Sequence, residues 1–399
     1  MEVVDLTREL VSIPSHEDET AAGDYIEAWL RRETDADVAR DEVGNVIARR
    51  RVGADAGSDA DSSARSGGET TTGRSLALVG HHDVVEPADA QLEGDEYVVE
   101  RRDGRLYGRG TADMKGAVAA AMLAFRDAAI GSGEGAGAGA ETAGRDGDGD
   151  EAGARELVFA SFVGEEVGGV GARHAIDRGF GPDYAIVGEG STGYSGPGVT
   201  DVAVAHKGRR GSTITARGEA AHASEVGAGE NAVYRATDAV DRVRDLEPPS
   251  IEAAGERLEG SLVVTEIEGG SAMNVVPDRC DLTVDERTVP GERAALERVT
   301  DLEGVEWTVD QDLPPMRCGD DAFAETVLEA ADAAQAETPE HVTKPHATDA
   351  GWLSDAGTEC VICGAAEPGE AHTEDESVSV AVLERCRETY RRVAETWPR

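Results

Sequence analysis

The sequence predicts an α/β catalytic domain with a mostly parallel central sheet and an inserted α+β domain. Three observations predict it. Apolar runs at 76–85, 156–166 and 183–189 each end in imidazole or carboxylate side chains, helical stretches lie between them, and near residue 200 the pattern changes to the alternation of strands with one exposed face. Short apolar runs closed by glycine read as strands buried on both faces, which calls for helices packed on a parallel sheet.

Taken in order, Ser15-His16-Glu17-Asp18 has the spacing of a capping box and predicts a helix from 17 to about 32. A strand follows at 44–49. Residues 53–75 and 131–155, built of Gly, Ala, Ser, Thr, Asp, Glu and Arg without apolar periodicity, read as disordered surface loops. The run 76–85 ends in His81 and Asp83, which alternation turns to one side. A histidine that ligates metal needs its second ring nitrogen held, usually by a carboxylate; a buried hydrogen-bonded pair uses the same spacing. The glycine-punctuated turn 105–113 delivers Asp113 to the start of an alanine-rich helix over 115–130, a position where a carboxylate also serves as a cap. Glu165 and Glu166 close the next strand, and on an extended chain adjacent residues face opposite ways, so the two take different roles. Glu189 closes the third. Ligands of such sheets collect at the carboxyl ends of the strands, where all these side chains sit.

Residues 200–310 predict the inserted unit, with strands at 201–218, 261–267 and 279–287 and a helix at 230–246. The catalytic domain then comprises 1–199 and 311–399, with Asp312-Leu-Pro-Pro315 as the return linker. A helix at 320–336 and a strand at 360–364 follow. Thr373 and Glu376 have the spacing of a second capping box opening a last helix to about 397, with His372 just before it. Cys360-Val-Ile-Cys363 matches a redox or zinc spacing, but strand alternation separates the sulfurs and they read as buried structural cysteines.

The net charge of -43 excludes a nucleic-acid grip, which needs clustered basic residues. Arginine supplies nearly all the positive charge, with lysine only at Lys115, Lys207 and Lys344. Such a surface is expected of a salt-rich cytoplasm, where screening removes self-repulsion. Neither a signal peptide nor a membrane span is read, five cysteines suggest no disulfide framework, and the expected location is cytoplasmic.

Two histidines and several carboxylates drawn from five segments suit two divalent ions, each taking one histidine and one carboxylate, with a further carboxylate as bridge. Imidazole with carboxylate favours zinc, and cobalt or manganese fit the same donors. The motifs Gly80-His-His-Asp-Val-Val85, Leu106-Tyr-Gly-Arg-Gly-Thr-Ala-Asp-Met-Lys-Gly116, Gly164-Glu-Glu166, Val187-Gly-Glu-Gly-Ser191, Lys207-Gly-Arg-Arg-Gly211, Gly218-Glu-Ala-Ala-His222, Gly270-Ser-Ala-Met-Asn-Val-Val-Pro277 and Ala371-His372 occur in that order. The chain so resembles the acetylornithine deacetylase, succinyl-diaminopimelate desuccinylase and glutamate carboxypeptidase family of dinuclear zinc amidohydrolases, over nearly its whole length apart from the two loops.

The resemblance implies that His81 and Glu189 hold one zinc, Glu166 and His372 the other, and that Asp113 bridges them. It implies that Asp83 orients His81, that Glu165 is the general base, and that His222, on a lid that also dimerises the chain, enters the partner subunit's site to stabilise the oxyanion. Asn274 and Arg287 would grip the substrate and its carboxylate. The expected reaction is hydrolysis of an N-acyl amino acid; a dipeptidase or carboxypeptidase is the alternative, and a non-catalytic metal binder a third reading. The chain departs from the family pattern at Gly364-Ala-Ala, where Gly-Pro-Gly is usual, at Gly190, where a proline follows the third metal carboxylate, and in lacking the Trp and Pro-Phe before Leu106.

Overall fold

The computed structural model describes residues 1–52, 74–94, 96–130 and 155–397. The loops expected at 53–75 and 131–155 lie outside the described residues except at Arg74, Ser75 and Arg155, which open strands. The chain divides into two compact units, one of residues 1–202, 319–340 and 356–399, the other of 203–318 and 341–355.

The first unit carries a mixed sheet in the order Asp37–Arg40, Val46–Val52, Arg155–Phe162, Arg74–His81, Tyr184–Val187, Glu359–Ile362. The last four run parallel, and the first two pair antiparallel at the edge. Residues 157–162 and 76–81 are buried without a break, as expected of strands covered on both faces. Helix Gly116–Asp127 is buried from Gly116 to Phe125. A helix apolar on every side has no solvent face to offer, and this one packs against strands Arg74–His81 and Arg155–Phe162 and against helices Val3–Val11 and Val380–Thr396. The parallel strands point one way, so His81, Phe162, Val187 and Ile362 end along one rim and the following loops share it.

Both expected capping boxes differ in the structure. The second helix runs Thr20–Glu33, and Asp18 accepts from the Thr20 amide at 2.8 Å; no side-chain bond caps its Glu19 position. The last helix, Val380–Thr396, follows a short strand, Ser377–Ser379, that pairs antiparallel with Arg105–Tyr107. Glu376 turns inward, away from any capping role.

The second unit contains an antiparallel sheet in the order Ser261–Gly269, Arg279–Thr288, Gly208–Arg217, Val305–Leu313. Helix Ala232–Arg244, capped by Asn231, covers one face through Ala232, Ala236 and Ala239 against Ile214, Leu282 and Val284. Strand Arg279–Thr288 alternates inward and outward residues along its length, which pins its register. Among the described residues the five cysteines are buried with no disulfide, and no helix is long and apolar enough to cross a membrane.

Candidate metal centre

His81 is the last residue of its strand and is 1 % exposed. Its Nδ1 faces the Asp83 carbonyl at 3.1 Å and the Asp83 carboxylate at 3.3 Å. Asp83 Oδ2 accepts the Glu166 amide at 3.0 Å, so one aspartate anchors both the histidine and the acidic turn. With Nδ1 engaged, Nε2 points to Asp113 Oδ1 at 3.0 Å and Glu189 Oε1 at 3.5 Å.

His372 approaches Asp113 from the other side. Its Nε2 lies 3.1 Å from Asp113 Oδ2 and 3.0 Å from Glu166 Oε1. The His372 backbone has φ 62°, a left-handed conformation uncommon outside glycine and held only where surrounding contacts enforce it. Each oxygen of Asp113 thus faces a different imidazole, one accompanied by Glu189 and the other by Glu166.

Asp113 sits in the wide turn Thr111–Lys115, ahead of helix Gly116–Asp127, where its φ/ψ of -125°/99° is extended. It therefore projects from the turn and does not cap the helix. The Glu165–Glu166 pair also differs from expectation: the strand ends at Phe162, the two acids lie in a turn, and both bring an oxygen into the ring around His81. Glu166 groups with Asp113, and Glu165 with Glu189. The strand alternation used to separate their roles does not extend to them; the turn separates them instead.

The charges follow the geometry. Burial pushes His81 toward neutrality, but Asp83, Asp113 and Glu189 outweigh it and hold its pKa well above the usual histidine value. Hydrogen bonds to Asp113 and Glu166 push His372 up to about 10. Burial and the neighbouring Asp113 raise Glu166. Asp113 is buried, yet its two histidine partners hold it below the carboxylate range.

These residues fit divalent cations. Asp113, Glu165, Glu166 and Glu189 carry more negative charge than two imidazolium groups neutralise, whereas two divalent ions with two neutral histidines balance the six side chains. The nitrogen–oxygen separations, 3.0 to 3.5 Å, match the roughly 3.3 Å between ligands of one tetrahedral ion with bonds of about 2.0 Å.

His222, Asn274 and Arg287 belong to the second unit. The exposed His222 has its Nδ1 2.6 Å from Ser224 Oγ, and its strand pairs with Val275–Val276 next to Asn274, whose carbonyl accepts the Ala223 amide at 2.9 Å. Arg287 donates to Asp285 from Nε at 2.8 Å.

Sequence reasoning missed three side chains under the turn. Glu376, Arg109 and Lys115 are buried there; Lys115 Nζ donates to the Ile13 carbonyl at 2.6 Å, and burial pushes its pKa down to about 7. Their signal was present, since ionisable residues flank the Asp113 and His372 motifs, but their partners are distant in sequence.

Histidines and carboxylates converging on the rim of an α/β sheet make a candidate metal centre, and the family match assigns it to a hydrolase. The model of peptidase family M20/M25/M40 matches residues 77–133 and 145–396, and the chain belongs to this family, whose members act on amide bonds. It is 30 % identical over 340 residues to an acetylornithine deacetylase of Myxococcus xanthus, covering 80 % of this chain and 79 % of that protein. In fold it is similar to the aminopeptidase PepT of Bacillus cereus, at TM-score 0.73 and 18 % identity over 99 % of this chain and 97 % of the other. It is also similar to a dinuclear metal binding peptidase of Bacillus subtilis, at TM-score 0.64 and 14 % identity over 98 % and 96 %.

Proposed function

We propose that the chain is a two-metal amidohydrolase that removes the acyl group from an N-acyl amino acid. The observation that carries this reading is the division of Asp113 between His81 with Glu189 and His372 with Glu166. The deacetylase relative supports the acyl-amino-acid substrate.

His81 and Glu189 would hold one ion, Glu166 and His372 the other, and Asp113 both; zinc suits these donors, with cobalt or manganese as substitutes. Bound there, the ions would activate water and polarise the scissile carbonyl. Asp83 holds Nδ1 of His81 and so fixes Nε2 as the donor. Glu165 takes the proton of the attacking water and passes it to the leaving amine; its ring position beside His81 and Glu189 supports that role. Asn274 and Arg287 grip the substrate, and for Arg287 this requires exchanging the Asp285 carboxylate for that of the substrate. His222, exposed on the second unit, acts across a homodimer at the partner subunit's site. The acidic surface supports a salt-rich cytoplasm as the setting.

The test is amide hydrolysis in concentrated potassium chloride by chelated enzyme, before and after adding zinc or cobalt, on acetylornithine, succinyl-diaminopimelate and simple dipeptides. Metal-restored cleavage of an acyl-amino acid is expected. Preference for dipeptides would make the chain a peptidase, and no metal-dependent cleavage of any of them would overturn the reading.

A further inference from the structure

The turn that presents Asp113 leaves three amides pointing inward, and a single carboxylate receives them. Glu376 Oε1 accepts from Gly110 N at 2.9 Å, Ala112 N at 3.0 Å and Asp113 N at 3.2 Å. Its other oxygen takes the Arg109 guanidinium, and the two side chains are 0 % and 4 % exposed. The Glu376 carbonyl accepts the Gly108 amide at 3.0 Å, and the strand pairing of Ser377–Ser379 with Arg105–Tyr107 continues from there. Glu376 is four residues beyond His372.

We propose that Glu376 is a positioning residue for the metal centre, clamping the Gly110–Asp113 turn to the segment that carries His372. This rests on the two-metal reading above. A concave row of backbone amides makes an anion site, and here the anion is built into the chain. Buried amides must be satisfied, so the turn keeps this shape only while an acceptor oxygen is held at this point. The carboxylate is anchored in turn by Arg109, and its own backbone leads directly to His372. The bridging aspartate and the second histidine, separated by 259 positions of sequence, are thereby held in one frame. Partners of metal ligands that act in this way typically contribute about 10–100-fold to metal affinity.

The test is zinc and cobalt binding to the full chain, wild type and Glu376→Gln, by competition with a chromophoric chelator, together with the visible spectrum of the cobalt form. The glutamine oxygen can still receive the amides, but its NH2 group meets Arg109 donor against donor. The second binding step is expected to weaken about 10–100-fold, with an altered cobalt spectrum. Glu286→Gln serves as the stability control, because it breaks the comparably buried pair with Arg210 in the other unit. It should lower the melting temperature and leave both binding steps unchanged. Wild-type affinities and spectrum in Glu376→Gln, or equal losses in Glu286→Gln, would overturn the proposal. If Glu376→Gln does not fold, Glu376→Asp, with the same charge one methylene short, is judged by the same criteria. A wild type that binds one ion overturns the two-metal reading; the clamp then stands only if Glu376→Gln weakens that single ion.

Discussion

Replacing Gly190 by alanine tests how the loop that carries Glu189 is held. A Cβ at position 190 would lie 2.7 Å from both the Cβ and the carbonyl oxygen of Ala366. The carbonyl belongs to the backbone and cannot rotate away, so either strand-end loop must shift. Overpacking of this kind costs about 1–3 kcal/mol, and a contact this short with backbone belongs in the upper half, about 2 kcal/mol or more. For a unit of this size that lowers the melting temperature by about 4–8 °C. The family pattern has bulk at this position, as proline, and glycine where Ala366 stands, so the two departures compensate each other. Ala366→Gly in the Gly190→Ala background removes the Cβ contact and leaves the carbonyl, and should recover about half the loss, a coupling of about 1 kcal/mol. The assay is thermal unfolding of chelated protein at fixed potassium chloride, for both single variants and the double. A Gly190→Ala melting temperature within about 1 °C of wild type, or strictly additive effects, would refute the steric argument.

Glu165→Ala should lower kcat by about 100-fold or more while both ions stay bound; unchanged turnover in a steady-state assay would remove Glu165 from the role of base. In chelated protein the folded His372 pKa, about 10, exceeds the unfolded value. Its ion pairs therefore stabilise the fold fully below about pH 6.5, fade as pH rises, and are gone above about pH 10; a chelated melting temperature that does not fall across this window would contradict the assignment. Metal-loaded protein should lack this dependence, since the ligand is already neutral. With a net charge of -43, the melting temperature should climb as potassium chloride is raised from dilute to molar, and a salt-independent curve would remove the link between surface charge and stability.

The strand ends were legible because buried parallel strands are nearly continuous apolar runs, and a polar residue at the end of one is conspicuous: His81 and Glu189 announce themselves this way. Asp113 was legible through its glycine-rich turn. Failure came where a local pattern competed with a distant partner. Thr373 to Glu376 has the spacing of a capping box, yet Glu376 bonds amides 263 to 266 residues away, which no window of sequence contains. The sequence places Glu165 and Glu166 on an extended strand, but the strand stops at Phe162 and Gly164, with φ 61°, starts the turn that lets both acids face His81. In sequence Gly190 and Ala366 are separate departures, and their contact exists only in three dimensions.

Anomalous diffraction at the zinc edge from crystals of the metal-loaded chain would locate the ions directly. Two peaks about 3.5–4 Å apart are expected, one between His81 and Glu189, the other between Glu166 and His372, with one Asp113 oxygen on each. A single ion, or ions that leave Asp113 or His372 uncoordinated, would contradict it.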